Sequence, residues 1–201
     1  MAPYSVLVTG ANRGIGLGLV KQFLKNKEVQ HVIATSPIVI SPSEQQRGFQ
    51  KRREAFLQEL KEISDKRLAV LKLDVTSDES INTLYPQVEK IVGDRGLNVL
   101  LNNAGMFVKY STNQKPDRAA LIKNFDTNAA SVAVLTQTFL PLLRKAASQT
   151  ASDEFSIDRA AILNISAGIG SITDNTSGSG HNGMLAYRIS KVHSISSVTK
   201  P

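Results

Sequence analysis

Short apolar runs alternate with helical patterns along most of the chain. The runs hold four to six residues between turn residues, so strands are predicted at 4–9, 31–35, 68–73, 98–101 and 160–165. Apolar residues recur every three or four positions elsewhere, so helices are predicted at 14–25, 51–63, 78–92 and 118–147. Strands that alternate with helices pair in parallel and are buried on both faces. The pattern therefore predicts an α/β fold around a parallel sheet with right-handed crossovers.

Proline and glycine interrupt this pattern at three places. Pro141 is predicted to kink or end the long helix, because proline removes a backbone donor. Residues 36–50 contain prolines and polar residues and are predicted to be a loop insertion. Residues 173–183 are rich in Ser, Gly, Asn and Asp and are also predicted to be a loop.

The composition is that of an ordinary folded domain. The 201 residues suit a single domain, and the absence of cysteine excludes disulfides and thiolate metal sites; no metal site is predicted. No apolar run approaches the roughly 18 residues of a membrane span, and the first residues lack a secretory pattern. We therefore expect a cytoplasmic protein without membrane association. The net charge of +7 fits a solvated surface or a polyanionic ligand, whereas few aromatic residues argue against nucleic acid.

A glycine-rich turn joins the first predicted strand to the first helix, in the sequence Thr9-Gly-Ala-Asn-Arg-Gly-Ile-Gly16. Gly10 allows a tight turn, while Gly14 and Gly16 let the helix approach a ligand and the sheet closely. The free amide groups and the positive end of the helix dipole favour a pyrophosphate. Glycines also serve ordinary turns, but the strand–turn–helix context favours a dinucleotide site.

Five motifs, in this order along the chain, resemble those of the short-chain dehydrogenase/reductase family. They are the glycine turn, Asp74-Val75 after the third strand, Asn102-Asn-Ala-Gly105 after the fourth, Asn128, and Tyr187-Arg-Ile-Ser-Lys191. Residues 136–143 and 186–191 resemble the C-factor-like carbonyl reductase branch. The resemblance implies a Rossmann-type doubly wound sheet in the order 3-2-1-4-5, with helices on both faces.

The same resemblance implies a nicotinamide cofactor and a set of contacts to it. These contacts are Gly10, Asn12, Arg13, Gly14, Ile15, Gly16, Asp74, Val75, Asn102, Asn103, Ala104, Gly105, Tyr187 and Lys191. Asp74 would contact the adenine ring, and Asn128 would serve structure and proton relay.

Tyr187 and Lys191 are four residues apart, which places them on one face of a helix. A nearby ammonium favours the phenolate, so Lys191 is predicted to lower the pKa of Tyr187. The resemblance implies that Tyr187 protonates the developing alkoxide, while Lys191 tunes it and binds the nicotinamide ribose. An exposed pair on an amphipathic helix is the alternative that the spacing alone allows.

The third catalytic group is a serine at a position where the chain departs from the family. The family has two serines here, and the second polarises the substrate carbonyl, whereas this chain has Ser166 followed by Ala167. Ser166 or Ser171 could substitute for the missing hydroxyl. A locally bonded Ser166 is an equal alternative.

The absence of an acid after the second strand favours NADP(H) over NAD(H). Residues 35–37 hold no carboxylate that would bind a ribose 2′-hydroxyl or repel a 2′-phosphate. Arg13 stands where a guanidinium could pair with that phosphate, unless it is a solvated loop residue. Arg47, Lys51 and Arg52 could also fold back toward it.

The chain stops ten residues after Lys191, so the resemblance implies a domain that is incomplete at its C-terminus. The fifth strand would then be an exposed sheet edge, and a homodimer formed through the last two helices would be weakened. Two hypotheses follow: an NADPH-dependent reductase of small-molecule carbonyl compounds, or a catalytically impaired fragment that binds cofactor or a subunit partner. The loop at 106–116, with Phe107 and Tyr110, could line the substrate or simply pack on the surface.

Overall fold

A computed structural model describes residues 2–37, 65–151, 154, 156–176, 178 and 183–196. Five parallel strands form one sheet: β1 (Ser5–Val8), β2 (His31–Ser36), β3 (Leu68–Lys72), β4 (Val99–Asn102) and β5 (Ala161–Asn164). Their order is β3-β2-β1-β4-β5, as predicted. Among the described residues, β5 pairs with β4 alone.

Helices cover both faces of the sheet. They are α1 (Gly14–Lys25), α2 (Asp78–Val92), α3 (Arg118–Phe125), α4 (Ser131–Ala147) and α5 (Leu185–Ser196). A π-helical segment, Asp126–Ala130, joins α3 to α4. The predicted helix at 51–63 and most of the predicted loop at 36–50 lie outside the described residues, although Ser36 itself is the last residue of β2.

Alternation along the central strands divides the core into two layers. Leu7 of β1 packs with the cluster that contains Phe139 of α4 and Leu84 of α2. Val6 and Val8 pack on the opposite face, in the cluster that contains Val20, Leu24 and Val32. All of β1 and β4 is buried, which explains why these strands are continuous apolar runs in the sequence. The doubly wound prediction is therefore confirmed.

The long predicted helix continues past Pro141. Pro141 was predicted to kink or end this helix, but it lies inside α4, which continues to Ala147, so the helix does not end there. A kink at Pro141 stays a prediction. A proline in a helix interior costs about 3 kcal/mol. Pro141 faces solvent, while the next residues, Leu142 and Leu143, are fully buried in the core. Burial of each leucine contributes about 1.5–3 kcal/mol, which offsets the missing hydrogen bond.

None of the helices in the described part of the chain has the length and the apolar content that a membrane crossing requires.

Arg67 ties the end of α1 to the start of β3. Its guanidinium donates to the carbonyl oxygens of Asn26 and Val29, at 2.8 and 2.6 Å, and to both carboxylate oxygens of Asp65. The hydrogen bonds from Arg67 lower the pKa of Asp65 to about 2. The carboxylate therefore keeps the guanidinium oriented toward the carbonyls that follow α1.

Replacement of Asp65 by asparagine should make the free energy of unfolding less dependent on pH in acidic solution. Because the folded-state pKa of Asp65 lies below the unfolded value of 3.8, its contribution is present above pH 3.8 and is lost as pH falls through about 2. The difference in unfolding free energy between wild type and Asp65→Asn should therefore shrink across this window in urea titrations. Asp94→Asn, which removes the more exposed ion pair with Lys145, is the control. A difference that stays constant across the window would contradict this role of Asp65.

Candidate active site

The carboxyl ends of β1 and β4 approach each other at Gly10. This residue has a φ of 63°, and a Cβ built on it would lie 2.8 Å from the Cα of Ala104. Real Cβ atoms do not approach a backbone carbon that closely, so only glycine fits. Gly16, at the start of α1, is equally constrained, because its Cβ would lie 2.5 Å from the Gly10 carbonyl oxygen. The two motifs are therefore packed backbone against backbone.

Thr9 and Asn103 bind the two motifs together. The Thr9 hydroxyl accepts from the backbone amides of Asn103 and Ala104, both at 3.0 Å. In return, Asn103 Nδ2 donates to the carbonyl oxygens of Thr9 and Gly10 at 2.8 and 3.1 Å. Thr9 is fully buried and was not among the predicted site residues, although it is the first letter of the glycine motif. We call this set of contacts the strand-end lock.

The N-terminus of α1 is open beside this lock. Arg13, at the N-cap, makes no side-chain cap, and the first turn contains no acidic residue. Nothing lies within 4 Å of a Cβ built on Gly14, and Ile15 is 65% exposed. Within the part of the chain that the structure describes, the first amides of the helix therefore face space that an anionic group can enter, with the positive end of the dipole behind them.

Two other predicted cofactor residues have scaffold contacts of their own. Asp74 Oδ1 accepts from the amide and the hydroxyl of Thr76, at 3.0 and 2.7 Å, in the turn before α2. Asn102 is buried in β4, and its Nδ2 donates to Asn164 Oδ1 at 2.9 Å. Asn12 is half-buried in the glycine turn, and Val75 packs against the core. Their contacts to a cofactor stay predictions.

Asn128 connects the loop after β4 to α5. It is fully buried in the π-helical segment, where its Oδ1 accepts from the Met106 amide at 2.8 Å. Its Nδ2 donates to the Met106 carbonyl and to Ser190 Oγ, both at 2.9 Å. Ser190 Oγ in turn donates to the Tyr187 carbonyl at 2.8 Å. These contacts are consistent with the predicted structural role of Asn128. They include Ser190, which was not among the predicted site residues.

Tyr187 and Lys191 lie together on α5. The Lys191 Nζ is 5.7 Å from the centroid of the Tyr187 ring and donates to the Ile165 carbonyl at 2.8 Å. A Cβ built on Gly105 would lie 3.6 Å from the same Nζ, so the ammonium stands beside the loop that follows β4. The structure therefore places the pair at the carboxyl ends of the strands, on the same side of the sheet as the strand-end lock.

Burial controls the titration of this pair. It raises the pKa of Tyr187 above its ordinary value and lowers the pKa of Lys191. The expectation that the ammonium would lower the phenol pKa is therefore wrong for this structure. The cause is burial of the phenol itself, which disfavours its charged form, while Lys191 directs its Nζ to the Ile165 carbonyl.

The candidate serines make local contacts. Ser166 Oγ donates to the Lys191 carbonyl at 3.5 Å, which is the outer limit of a hydrogen bond. Ser171 Oγ accepts from the Asp174 amide at 3.2 Å within its own turn. Ser166 thus lies beside α5, and its role in polarising a carbonyl stays a prediction.

The two aromatic residues of the loop at 106–116 differ in their surroundings. Phe107 is 50% exposed, and its ring packs edge to face on Tyr187 with the centroids 5.6 Å apart. Tyr110 is buried, its hydroxyl accepts from the Asp117 amide at 2.9 Å, and its backbone pairs with residues 183 and 185. Only Phe107 is therefore available as a substrate wall, and Tyr110 anchors the start of α5.

A cavity of about 640 Å³ lies at the other end of the sheet, where Tyr4 precedes β1 and Asn98 precedes β4. Its lining contains none of the predicted site residues. It is therefore separate from the candidate site.

Residues 4–173 match the family model of the short chain dehydrogenases, so the chain belongs to this family. Short-chain dehydrogenase anuI of Penicillium roqueforti is 30% identical over 172 residues, covering 83% of this chain and 57% of that protein. Estradiol 17-beta-dehydrogenase 2 of Mus musculus is 31% identical over 141 residues, covering 70% of this chain and 33% of that protein. The chain spans little more than half the length of the first curated relatives that it matches.

Solved structures named as carbonyl reductases are also similar. The Caenorhabditis elegans protein named carbonyl reductase Sniffer is 49% identical with a TM-score of 0.84, covering 96% of this chain and 74% of that one. The NADPH-bound carbonyl reductase from chicken fatty liver is 34% identical with a TM-score of 0.82, covering 96% and 67%. These similarities agree with the Rossmann-type sheet described above.

Replacement of Thr9 by valine should destabilise the strand-end lock. Valine keeps the shape but removes the acceptor of the Ala104 amide, whereas the Asn103 amide keeps its hydrogen bond to the Leu101 carbonyl at 3.0 Å. An unsatisfied buried amide costs about 1–3 kcal/mol. Urea denaturation should show a loss of this size for Thr9→Val. Thr9→Ser, which keeps the hydroxyl, should lose clearly less. Equal stabilities of the two variants would show that the hydroxyl does not hold the lock.

Proposed function

We propose that the chain carries the cofactor site and the proton donor of an NADP(H)-dependent reductase that converts a small-molecule carbonyl compound to an alcohol. The observation that supports this most strongly is the position of Lys191 beside Gly105, with Tyr187 next to it on α5. This is the end of the sheet where Thr9 and Asn103 form the strand-end lock. Membership of the short-chain dehydrogenase family supports it independently.

The residues at this edge fit a nicotinamide dinucleotide. The space over Gly14 and the uncapped amides of α1 suit its diphosphate. A Cβ at Gly10 or Gly16 would clash with neighbouring backbone atoms and displace the turn. The bound cofactor would supply a hydride to the carbonyl carbon. The chain's own part is then to bind the diphosphate, orient the substrate and deliver a proton to the carbonyl oxygen.

Tyr187 is the proposed proton donor. Its raised pKa keeps the phenol protonated at neutral pH, which is the form that can protonate an oxygen as negative charge develops on it. The Tyr187 hydroxyl gives up its proton as the carbonyl oxygen becomes a hydroxyl. Lys191 is proposed to bind the ribose next to the nicotinamide and to stabilise the phenolate that remains.

The preference for NADP(H) is supported by charge at the end of β2. Arg13 is exposed at the N-cap of α1, and no carboxylate occurs at residues 35–37. The exposed Lys72 pairs with Ser36 in the sheet, which adds a second cation beside this strand end. Two cations without an acid favour a 2′-phosphate over a free hydroxyl.

A catalytically impaired protein that binds cofactor or a subunit partner is the second candidate function. It is favoured by Ala167, which lacks the hydroxyl expected there, and by Ser166, whose hydroxyl meets the Lys191 carbonyl. Leu163 on β5 is 39% exposed, which suits a partner surface. For either candidate function, we propose a cytoplasmic location and association as a homodimer.

Replacement of Tyr187 by phenylalanine should abolish reduction while leaving cofactor binding. General acid catalysis contributes roughly 10²–10⁴-fold, so NADPH oxidation in the presence of an aldehyde should fall by at least about a hundredfold. Tyr85→Phe, which removes a half-buried phenol from α2, is the matched control and should keep the wild-type rate. Equal turnover in Tyr187→Phe and wild type would contradict the assignment. Thermal stabilisation by NADP⁺ without any wild-type turnover would favour the impaired protein.

The pH profile of reduction should follow the raised pKa of Tyr187. The rate should be independent of pH near neutrality and should fall only as pH rises through a value above 10, because the phenol is then deprotonated. The measurement is kcat/KM for an aldehyde against pH, with NADPH saturating. A fall centred near pH 7 would contradict the proposed protonation state of Tyr187 in the enzyme that meets the aldehyde, which is the NADPH complex.

Replacement of Arg13 by alanine should reduce the preference for NADPH. Loss of a charge-assisted hydrogen bond, worth about 1.5–3 kcal/mol, corresponds to a roughly tenfold to hundredfold weaker NADPH complex. Fluorescence titration should show little change for NADH. Arg95→Ala, at the opposite end of the sheet, is the control. Tighter binding of NADH than of NADPH by the wild type would overturn the proposed preference.

A further inference from the structure

Two asparagines hold the backbone on both sides of Phe107. Asn128 accepts from the Met106 amide at 2.8 Å and donates to the Met106 carbonyl at 2.9 Å. Asn124, one turn earlier, accepts from the Val108 amide at 3.3 Å. Its own amide is oriented by a hydrogen bond from Nδ2 to the Ala120 carbonyl at 3.0 Å, and both asparagines are fully buried. Residues 106–108 are therefore bound along the surface of the helix that ends in the π-helical segment.

This attachment directs the Phe107 side chain away from the helix. Met106 and Val108 are half-buried, whereas Phe107 between them is half-exposed, which is the alternation expected of an extended segment. The ring does not lie free on the surface. It packs on Tyr187 with an interplanar angle of 86°, the edge-to-face geometry that aromatic pairs prefer.

The result is a large apolar surface fixed beside the proposed proton donor. A flexible loop side chain could turn away from the site, but a ring whose neighbouring backbone is bonded on both sides keeps its position. A polar or charged substituent placed against this ring would lose hydration without gaining a hydrogen bond. A flat apolar substituent would cover the exposed half of the ring and gain an aromatic contact.

We propose that Phe107 is a specificity-determining residue, which selects carbonyl compounds whose substituent facing Tyr187 is an apolar ring, and that Asn124 is the positioning residue that holds it. This inference rests on the proposed carbonyl reduction. Asn124 acts only through the backbone of residue 108, and neither the motif analysis nor the family's motif residues include it.

The test compares benzaldehyde with propanal, two aldehydes that share the reacting group and differ in the ring. The selectivity is the ratio of their kcat/KM values, measured by NADPH oxidation with the full chain. Phe107→Ala should lower this ratio roughly threefold to tenfold, mainly through a higher KM for benzaldehyde, since one aromatic contact has this worth. Ile122→Ala, which removes another exposed apolar side chain on α3, should leave the ratio unchanged.

Asn124 is tested by the same ratio. Asn124→Ala removes both hydrogen bonds and should lower the selectivity, whereas Asn124→Asp keeps the acceptor for the Val108 amide and should restore most of it. A purely structural role would lower both rates together and leave the ratio as in wild type. The aspartate variant keeps the test valid if Asn124→Ala does not fold.

The possible failures can be told apart. If wild type reduces both aldehydes and Phe107→Ala keeps the wild-type ratio, the role of Phe107 is overturned and the proposed reductase stands. If wild type reduces neither aldehyde, the proposed function fails and the inference fails with it. A lower ratio in Phe107→Ala, with no change in Ile122→Ala, supports the inference.

Discussion

The close approach of two strand ends is the constraint on which the rest of the site depends. Thr9 and Gly10 after β1 meet Asn103 and Ala104 after β4 with no room for a side chain at Gly10. The polar groups of this contact form hydrogen bonds between the two loops. Movement of either loop would therefore leave buried polar groups of the other without these hydrogen bonds. The lock sets the direction in which the chain enters α1, and with it the position of the open helix N-terminus.

A second set of contacts connects the strand-end lock to the proposed catalytic pair. The loop that leaves the lock passes to Met106, which is held by Asn128, and Asn128 holds Ser190 on α5. Tyr187 and Lys191 flank Ser190 along that helix, so their distance from the sheet is set by a buried amide and not by a mobile surface contact. Buried and satisfied polar networks of this kind fix geometry as well as contributing stability.

The strands of the sheet could be predicted from the sequence because they read as apolar runs, most clearly in β1 and β4, which are buried on both faces. Their order was implied by the resemblance to the family and is confirmed. The continuation of the long helix past Pro141 could not be predicted, since the burial of Leu142 and Leu143 overcomes the local effect of this proline. For the candidate site, too, some features could be predicted from the sequence and others could not. The motifs bring Tyr187 beside Lys191, but the direction of the phenol pKa depends on how deeply the fold buries Tyr187, which no spacing reveals. Phe107 and Tyr110 looked alike in the sequence, and only the fold separates the half-exposed ring from the buried anchor.

A crystal structure of the chain with NADP⁺ tests the central claim most directly. We predict the diphosphate over Gly14 at the N-terminus of α1, with the nicotinamide ribose within reach of Lys191 and the Tyr187 hydroxyl turned toward the open side of the nicotinamide ring. A cofactor bound elsewhere, or a Tyr187 and Lys191 pair that faces away from the lock while the cofactor occupies the groove, would contradict it.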